Sequence, residues 1–266
     1  MSDVTELAAK AKDFPSVFTL KGKRAVVVGG TRGLGQAMCL ALAACGATVC
    51  VVGRDVAALK RTVDATEAAG TRGLSLACDV TSEDNVRDMA ESAIREMGGV
   101  DILVNSQGTV HLESAAEYDM EAWDRVMDVN VKSVVMACKH VGRDMLARGR
   151  GKIINISSVR GFQGRIGDLA YAPSKGAINQ LTKSLALEWG PKGINVNAIA
   201  PAFIKTELNA SLFDDPDASK WIFSRSPMGR VGNLDDMFGP VVFLASEASN
   251  FVNGHVLMVD GGWTVG

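Results

Sequence analysis

Arg24-Ala25-Val26-Val27-Val28-Gly29, followed by Gly30-Thr31-Arg32-Gly33-Leu34-Gly35, is the stretch that decides the fold. Its first half is a short valine-rich run, too short for a helix, and reads as a buried parallel strand. Its second half is a glycine turn, and the alanine-rich stretch after it, residues 36–45, is helical in composition. A dinucleotide site needs this order of strand, glycine turn and helix. The glycines let backbone approach a pyrophosphate, and the helix start offers unpaired N–H groups and a positive dipole end. The spacing is G-x-x-x-G-x-G rather than G-x-G-x-x-G, so the flanking elements carry the reading as much as the glycines do.

Outward from this turn the pattern alternates. Runs rich in valine or isoleucine fall at 24–29, 47–53, 73–78, 100–105, 151–157, 193–200 and 255–260. Helical stretches lie between them at 33–45, 56–69, 82–97, 121–148, 171–190 and 234–246. The expectation is an α/β chain with a Rossmann-type, doubly wound parallel sheet of seven strands in a single domain, residues 21–266. Residues 1–20 read as an N-terminal arm, helical or mobile. Residues 202–233 lack a clean apolar period and are too long for an ordinary connection, which predicts a lid over a substrate pocket.

Composition narrows the function. The chain has 266 residues, 47 % of them hydrophobic, enough for one large core. A net charge of −2 offers no footprint for nucleic acid or an anionic membrane, and no apolar stretch is long enough to span a bilayer. Five cysteines without Cys-x-x-Cys spacing and three scattered histidines give no metal site. An odd cysteine count without a signal peptide points to the cytoplasm.

The second informative run is Tyr171-Ala172-Pro173-Ser174-Lys175, which holds one of only two tyrosines. Four residues apart on a helix, the phenol and the ammonium share a face. A nearby cation favours the phenolate and is expected to lower the pKa of Tyr171. Such a pair suits proton transfer to or from an alcohol oxygen.

Taken in order, the motifs resemble the short-chain dehydrogenase/reductase family from about Leu20 to Gly262. They are Gly29-x-x-x-Gly33-x-Gly35, Asp79-Val80, Asn105-Ser106-Gln107-Gly108, Asn130, Ser158, Tyr171-x-x-x-Lys175, Pro201-Ala202 and Val259-Asp260-Gly261-Gly262. The resemblance implies a carbonyl/alcohol oxidoreductase that uses NAD(H) or NADP(H), commonly as a homotetramer. Tyr171 then resembles the acid/base, and Lys175 the residue that tunes it and holds the nicotinamide ribose. Ser158, chosen over Ser157 by its spacing to Gly161, resembles the serine that bonds the substrate oxygen. Asn130 resembles the asparagine that holds a relay water. Gly29, Thr31, Arg32, Gly33, Leu34 and Gly35 would cradle the cofactor. Asp79 and Val80 would meet adenine, and Asn105 and Gly108 would line the adenosine side. Pro201, Ile204 and Thr206 would face the carboxamide and phosphates. Three positions depart from the family pattern: Val28, Ser106-Gln107 and Ala202.

Cofactor choice follows from charge. The second strand ends in Gly53, where NAD sites carry an acid, and Arg54 follows at once, with Arg32 in the glycine turn. Two guanidiniums suit a 2′-phosphate, so NADP(H) is favoured and NAD(H) is the alternative. Asp55 reads as the cap of the next helix. Residues 193–201, 205–207 and 249–255 resemble bacterial gluconate 5-dehydrogenases and related sugar-acid or polyol dehydrogenases. Arg160, Gln163 and Arg165 suit a hydroxylated or carboxylate substrate, and equally a charged surface loop. The alternatives are a 3-oxoacyl-acyl-carrier-protein reductase with the same catalytic set, or a cofactor-binding regulator. Against the regulator stands the full set Asn130, Ser158, Tyr171 and Lys175.

Overall fold

Every strand of the sheet runs parallel to its neighbours, in the order β3-β2-β1-β4-β5-β6-β7. The computed structural model describes residues 4–207, 209 and 214–265. The strands are β1 Arg24–Val28, β2 Thr48–Gly53, β3 Gly73–Ala77, β4 Ile102–Asn105, β5 Gly151–Ile156, β6 Ile194–Pro201 and β7 Val256–Val259. The helices are α1 Val4–Lys12, α2 Gly33–Ala44, α3 Val56–Ala68, α4 Glu83–Met97, α5 Met120–Met127, α6 Ser133–Arg148, α7 Tyr171–Trp189, α8 Pro216–Ser224 and α9 Phe238–Ala245.

Alternation along the strands builds two cores, one on each face of the sheet. Val26 and Val28 of β1 join Cys50, Val52, Leu103 and Ile153 against α4, α6 and α7. Ala25 and Val27 join Val49, Val51, Ile102, Val104 and Ile154 against α2 and α9. Successive side chains of a strand point to opposite faces, so a continuous apolar run serves both layers at once. The chain winds outward from β1 to β3, then returns to place β4 beside β1. The crevice between β1 and β4 is therefore a topological switch point, where open α/β sheets place their ligands.

The four residues of β7 are only half-buried, because β7 is the edge strand and no strand among the described residues pairs with its outer edge. One expectation changes. The segment 202–233 is not wholly irregular, since it contains α8. Ile222 of that helix is buried against Val159 and Trp263, with Phe203 packed beside them. Leu208, Leu212 and Phe213, apolar residues of the same segment, lie outside the described residues. At the N-terminus the described side chains of α1 are exposed. No helix among the described residues is long and apolar enough to cross a membrane.

Candidate active site

The glycine turn closes so tightly that side chains are excluded from it. Gly29 has φ +80°, and its N–H and that of Gly30 both donate to the Val52 carbonyl, at 2.9 and 3.1 Å. A Cβ at Gly29 would stand 2.7 Å from the Gln107 nitrogen, and one at Gly35 would overlap the Gly29 carbonyl oxygen. The turn, the start of α2 and the loop after β4 thus form one bare-backbone cradle, which fits a dinucleotide pyrophosphate at a helix N-terminus. Leu34 packs half-buried on the second core, and Thr206 lies across the turn, its methyl 3.8 Å from where a Gly33 Cβ would be.

At the end of β2 the structure adds a reason for glycine. A Cβ on Gly53 would stand 2.5 Å from the Thr31 methyl. Thr31 therefore occupies the space where an acidic side chain would start. Arg32 and Arg54 are both exposed beside this gap, and Arg32 makes no capping bond with its side chain. Asp55 caps α3 by accepting from the Ala58 N–H at 3.0 Å. Asp79 accepts from the N–H and hydroxyl of Thr81, at 3.0 and 2.8 Å. Those bonds, with Arg54 adding a smaller effect, hold its carboxyl below the usual range. Val80 packs half-buried on the first core.

The loop that carries Asn105 and Gly108 adjoins the glycine turn, where a Gly29 Cβ would meet the Ser106 and Gln107 backbone. The Asn105 side chain is buried in the sheet, its amide donating to Asn155 Oδ1 at 2.9 Å and approaching Cys138. A Cβ on Gly108 would lie 3.5 Å from Asn130 Oδ1 and 3.8 Å from Lys175 Nζ. The chain leaving β4 crosses the crevice at once, which carries Gly108 to the proton-transfer residues. Gln107, one of the departures, donates to the Ser133 hydroxyl at 3.0 Å and so ties this loop to α6. Ala202 is tolerated in place of glycine, since no non-glycine among the described residues has positive φ.

Asn130 sits in a single π-helical turn, Asp128–Lys132, that joins α5 to α6. Such turns recur at functional sites. Its Oδ1 accepts from the Thr109 N–H at 2.7 Å, and its Nδ2 donates to the Thr109 carbonyl at 2.9 Å and the Ser174 hydroxyl at 3.0 Å. Its side chain is thus spent on joining the β4 loop to α7.

The two competing serines separate cleanly. Ser157 turns inward and donates to Asn179 Oδ1 at 2.5 Å. Ser158 lies close enough to the Tyr171 phenol to oppose the rise of its pKa, and accepts from the Arg160 N–H at 3.1 Å. Lys175 lies one turn beyond Tyr171, buried, and donates to the Ile156 carbonyl at 2.7 Å. Burial draws its ammonium down to about 8, so it is still chiefly protonated at neutral pH.

The expected lowering of the Tyr171 pKa is not what the structure gives. Burial dominates and holds the phenol above its ordinary value. The Ser158 hydroxyl opposes this, Asp168 adds to it, and Arg165 and Arg160 oppose it. Desolvation of a phenolate outweighs a cation whose protons are given to a carbonyl.

Beyond the phenol stands a wall that sequence reading caught only in part. Trp263 is buried, donates to Gln163 Oε1 at 3.2 Å, and packs against Phe203 and Trp221 at ring separations of 5.2 and 5.5 Å. Behind it a cavity of about 330 Å³ opens between α8 and the end of β7, lined by Phe203, Ile222, Met228 and Val259 among others. This cavity does not include Tyr171, so it is space behind the wall and not the reaction site. Trp263 carried no signal in the sequence, being a single tryptophan about a hundred residues from Ser158. Asp168 was missed for a similar reason, as one acid in an aperiodic loop.

The cradle, the switch-point crevice and the Ser158–Tyr171–Lys175 arrangement agree with what comparison finds. The sequence profile of a family described as enoyl-(acyl carrier protein) reductase matches residues 28–264. The chain belongs to the short-chain dehydrogenase/reductase family. As such a dehydrogenase/reductase it is an oxidoreductase of hydroxyl and keto groups. It is 41 % identical to a gluconate 5-dehydrogenase of Gluconobacter oxydans (strain 621H), over 94 % of this chain and 98 % of that one. It is 43 % identical to a 2-dehydro-3-deoxy-D-gluconate 5-dehydrogenase of Dickeya dadantii (strain 3937), over 93 % and 98 %. The solved structure of a gluconate 5-dehydrogenase from Burkholderia cenocepacia J2315, in complex with NADP and tartrate, superposes with a TM-score of 0.91. The two chains are 37 % identical, and the match covers 94 % of this chain and 98 % of that one.

Proposed function

We propose that this short-chain dehydrogenase/reductase interconverts a secondary alcohol and a ketone on a sugar acid or polyol, in the manner of gluconate 5-dehydrogenases, using NADP(H). The observation that carries the reading is the gathering of Ser158 and Lys175 about the Tyr171 phenol, with Lys175 one helical turn from it and bonded to the Ile156 carbonyl at the end of β5.

When bound, the nicotinamide supplies or accepts the hydride. The glycine turn and the start of α2 would hold its pyrophosphate, and Arg32 and Arg54 would hold a 2′-phosphate that an acid at residue 53 would repel. Ser158 orients the substrate oxygen. Tyr171 delivers a proton to that oxygen in reduction and removes it in oxidation. A raised phenol pKa suits donation, and Lys175 steadies the phenolate left behind. Asn130 keeps the Gly108–Thr109 segment beside Lys175, and any relay water would rest on main-chain atoms there. The curated relatives named above act on sugar acids, which favours this reading over an acyl-carrier-protein reductase.

Two finer statements belong to the same proposal. The segment 202–233 closes over the substrate as a lid, with Phe203 and Trp221 as its apolar face. The enzyme is a cytoplasmic homotetramer. The half-buried edge strand β7 and the exposed Val135, Leu187 and Phe251 support an assembly that covers them, and five unpaired cysteines suit a reducing compartment. The test is a panel of ketogluconates, polyols and a β-ketoacyl thioester assayed with both cofactors, together with light scattering. Turnover of a sugar acid with NADP(H) and a particle near four times 28.1 kDa are expected. Turnover of the thioester alone would overturn the substrate class.

A further inference from the structure

Three of the buried side-chain atoms that lack a hydrogen-bond partner among the described residues come from one short stretch. They are Arg160 Nη2, Arg165 Nε and Asp168 Oδ2. Arg160 and Asp168 are 9 % and 6 % exposed. Buried polar atoms of a native protein are almost always paired, so a cluster of orphans needs a reason. Here the orphans lie near the reacting phenol: Asp168 accepts from the N–H of Ala172, next to Tyr171, and pairs with Arg165, and all three side chains act electrostatically on Tyr171.

The charges do not balance. Arg165 Nη2 lies 3.3 Å from Asp168 Oδ2, and Arg160 spends Nη1 on the Gly164 carbonyl at 3.1 Å. Arg165 thus pairs with Asp168, while Arg160 pairs with no carboxylate among the described residues. Arg160 and Arg225 stand 5.9 and 5.6 Å from the Trp263 ring centre. On the same rim Glu113 is taken by His111 at 3.1 Å and the Asp119 N–H at 2.8 Å. Burial already draws the Arg160 guanidinium down, and the neighbouring Arg165 adds to it. A buried excess of positive charge is costly unless an anion completes it.

We infer that Arg160 and Arg165 are the specificity-determining residues that bind the carboxylate of the substrate, while Asp168 sets how strongly they do so. This rests on the proposed reaction, since it places the anion within reach of the ketone that Tyr171 serves. The unpartnered donors Nη2 and Nε meet the carboxylate oxygens. Asp168 keeps the arginines oriented before substrate arrives and competes with it for Arg165. Its other oxygen accepts from the Ala172 N–H at 3.0 Å and fixes the start of α7. The Trp263 indole supports the Arg160 guanidinium from one side.

The signs make this testable. NADP⁺-loaded enzyme is titrated calorimetrically with D-gluconate and with the neutral hexitol D-glucitol. Wild type should bind gluconate at least about tenfold more tightly. Arg165→Met should cost gluconate about ten- to a hundredfold and leave glucitol unchanged. Arg160→Met should do the same, and Arg165→Met, at a partly exposed position, still decides the matter if the Arg160 variant misfolds. Asp168→Asn, which retains the oxygen that caps α7, should instead strengthen gluconate binding several-fold. A merely structural cluster would weaken both ligands in all three variants, and that result overturns the inference. So does wild type that binds gluconate no better than glucitol, or not at all. An enzyme that discriminates gluconate from glucitol in this way, yet turns over no sugar acid, would sink the proposed reaction and leave the anion site standing.

Discussion

Lys175 reaches past Tyr171 to the Ile156 carbonyl, 2.7 Å from its nitrogen, while that nitrogen stays 5.5 Å from the centre of the Tyr171 ring. The ammonium is thus anchored to the end of β5, the strand that leads to Ser158. Strand, serine, phenol and lysine are held as one unit, although twelve residues, 159–170, lie between the serine and the tyrosine in sequence.

Burial of that lysine predicts a pH signature of stability. Its pKa in the folded protein is about 8, below its ordinary value of 10.5. Between those values the unfolded chain binds more protons, so stability rises with pH across the window. Below about 8 the cost of the buried charge is fully present. In denaturant melts of cofactor-free protein, wild type should therefore gain on Lys175→Met by on the order of 3 kcal/mol from below to above this window. A difference between the two proteins that stays flat with pH would show that the ammonium is not desolvated.

Proton transfer through Tyr171 predicts that Tyr171→Phe lowers turnover by about 10²–10⁴-fold. NADPH binding, followed by fluorescence, should be nearly unchanged. Lys175→Ala should damage both turnover and cofactor affinity. Near-normal turnover by purified Tyr171→Phe would remove the acid/base role.

Arg54 and Arg32 predict a cofactor-specific loss. Arg54→Ala should raise the KM for NADP(H) about ten- to a hundredfold and leave that for NAD(H) nearly unchanged, and Arg32→Ala should act likewise. Equal losses for both cofactors would assign the arginines to the shared pyrophosphate. Gly53→Asp by itself should not convert the enzyme to NAD(H), because its Cβ meets the Thr31 methyl. Pairing it with Thr31→Gly should recover more NAD(H) activity than the single change, read as kcat/KM.

The lid predicts an uneven pattern of hydrogen exchange. Exposed parts of 202–233 should exchange quickly and slow when NADPH and a substrate analogue are added. The turn of α8 around Ile222, already packed on Trp263, should be protected throughout. Protection that does not respond to ligands would leave this segment as a fixed wall.

Strand boundaries were legible to within one or two residues because a periodicity is written along the chain; among the helices α9 begins four residues later than residue 234, the stretch 121–148 divides at a π turn into α5 and α6, and α8 carried no clean period. β1 alternates between two cores, and α2 begins where glycines permit a turn. Gly29 and Gly35 were legible for a similar reason, since their constraint is local: a backbone angle at one, a close approach at the other. The spacing of Tyr171 and Lys175 likewise places them on one face of one helix.

What the sequence determined by itself is therefore local: the order of elements, the bare cradle for a cofactor, and the helical pairing of phenol and lysine. Tertiary structure decided everything that depends on burial and on partners distant in the chain. It turned Asn105 into the sheet and brought Gly108 to Lys175. It raised the Tyr171 pKa where spacing alone predicted a fall, because desolvation depends on what surrounds a group and not on its neighbours in sequence. It also gathered Arg160, Arg165 and Asp168 near one phenol and set Trp263 beside Arg160. Pairing and orphaning of charges are properties of three-dimensional neighbourhoods, and no periodicity in a loop records them.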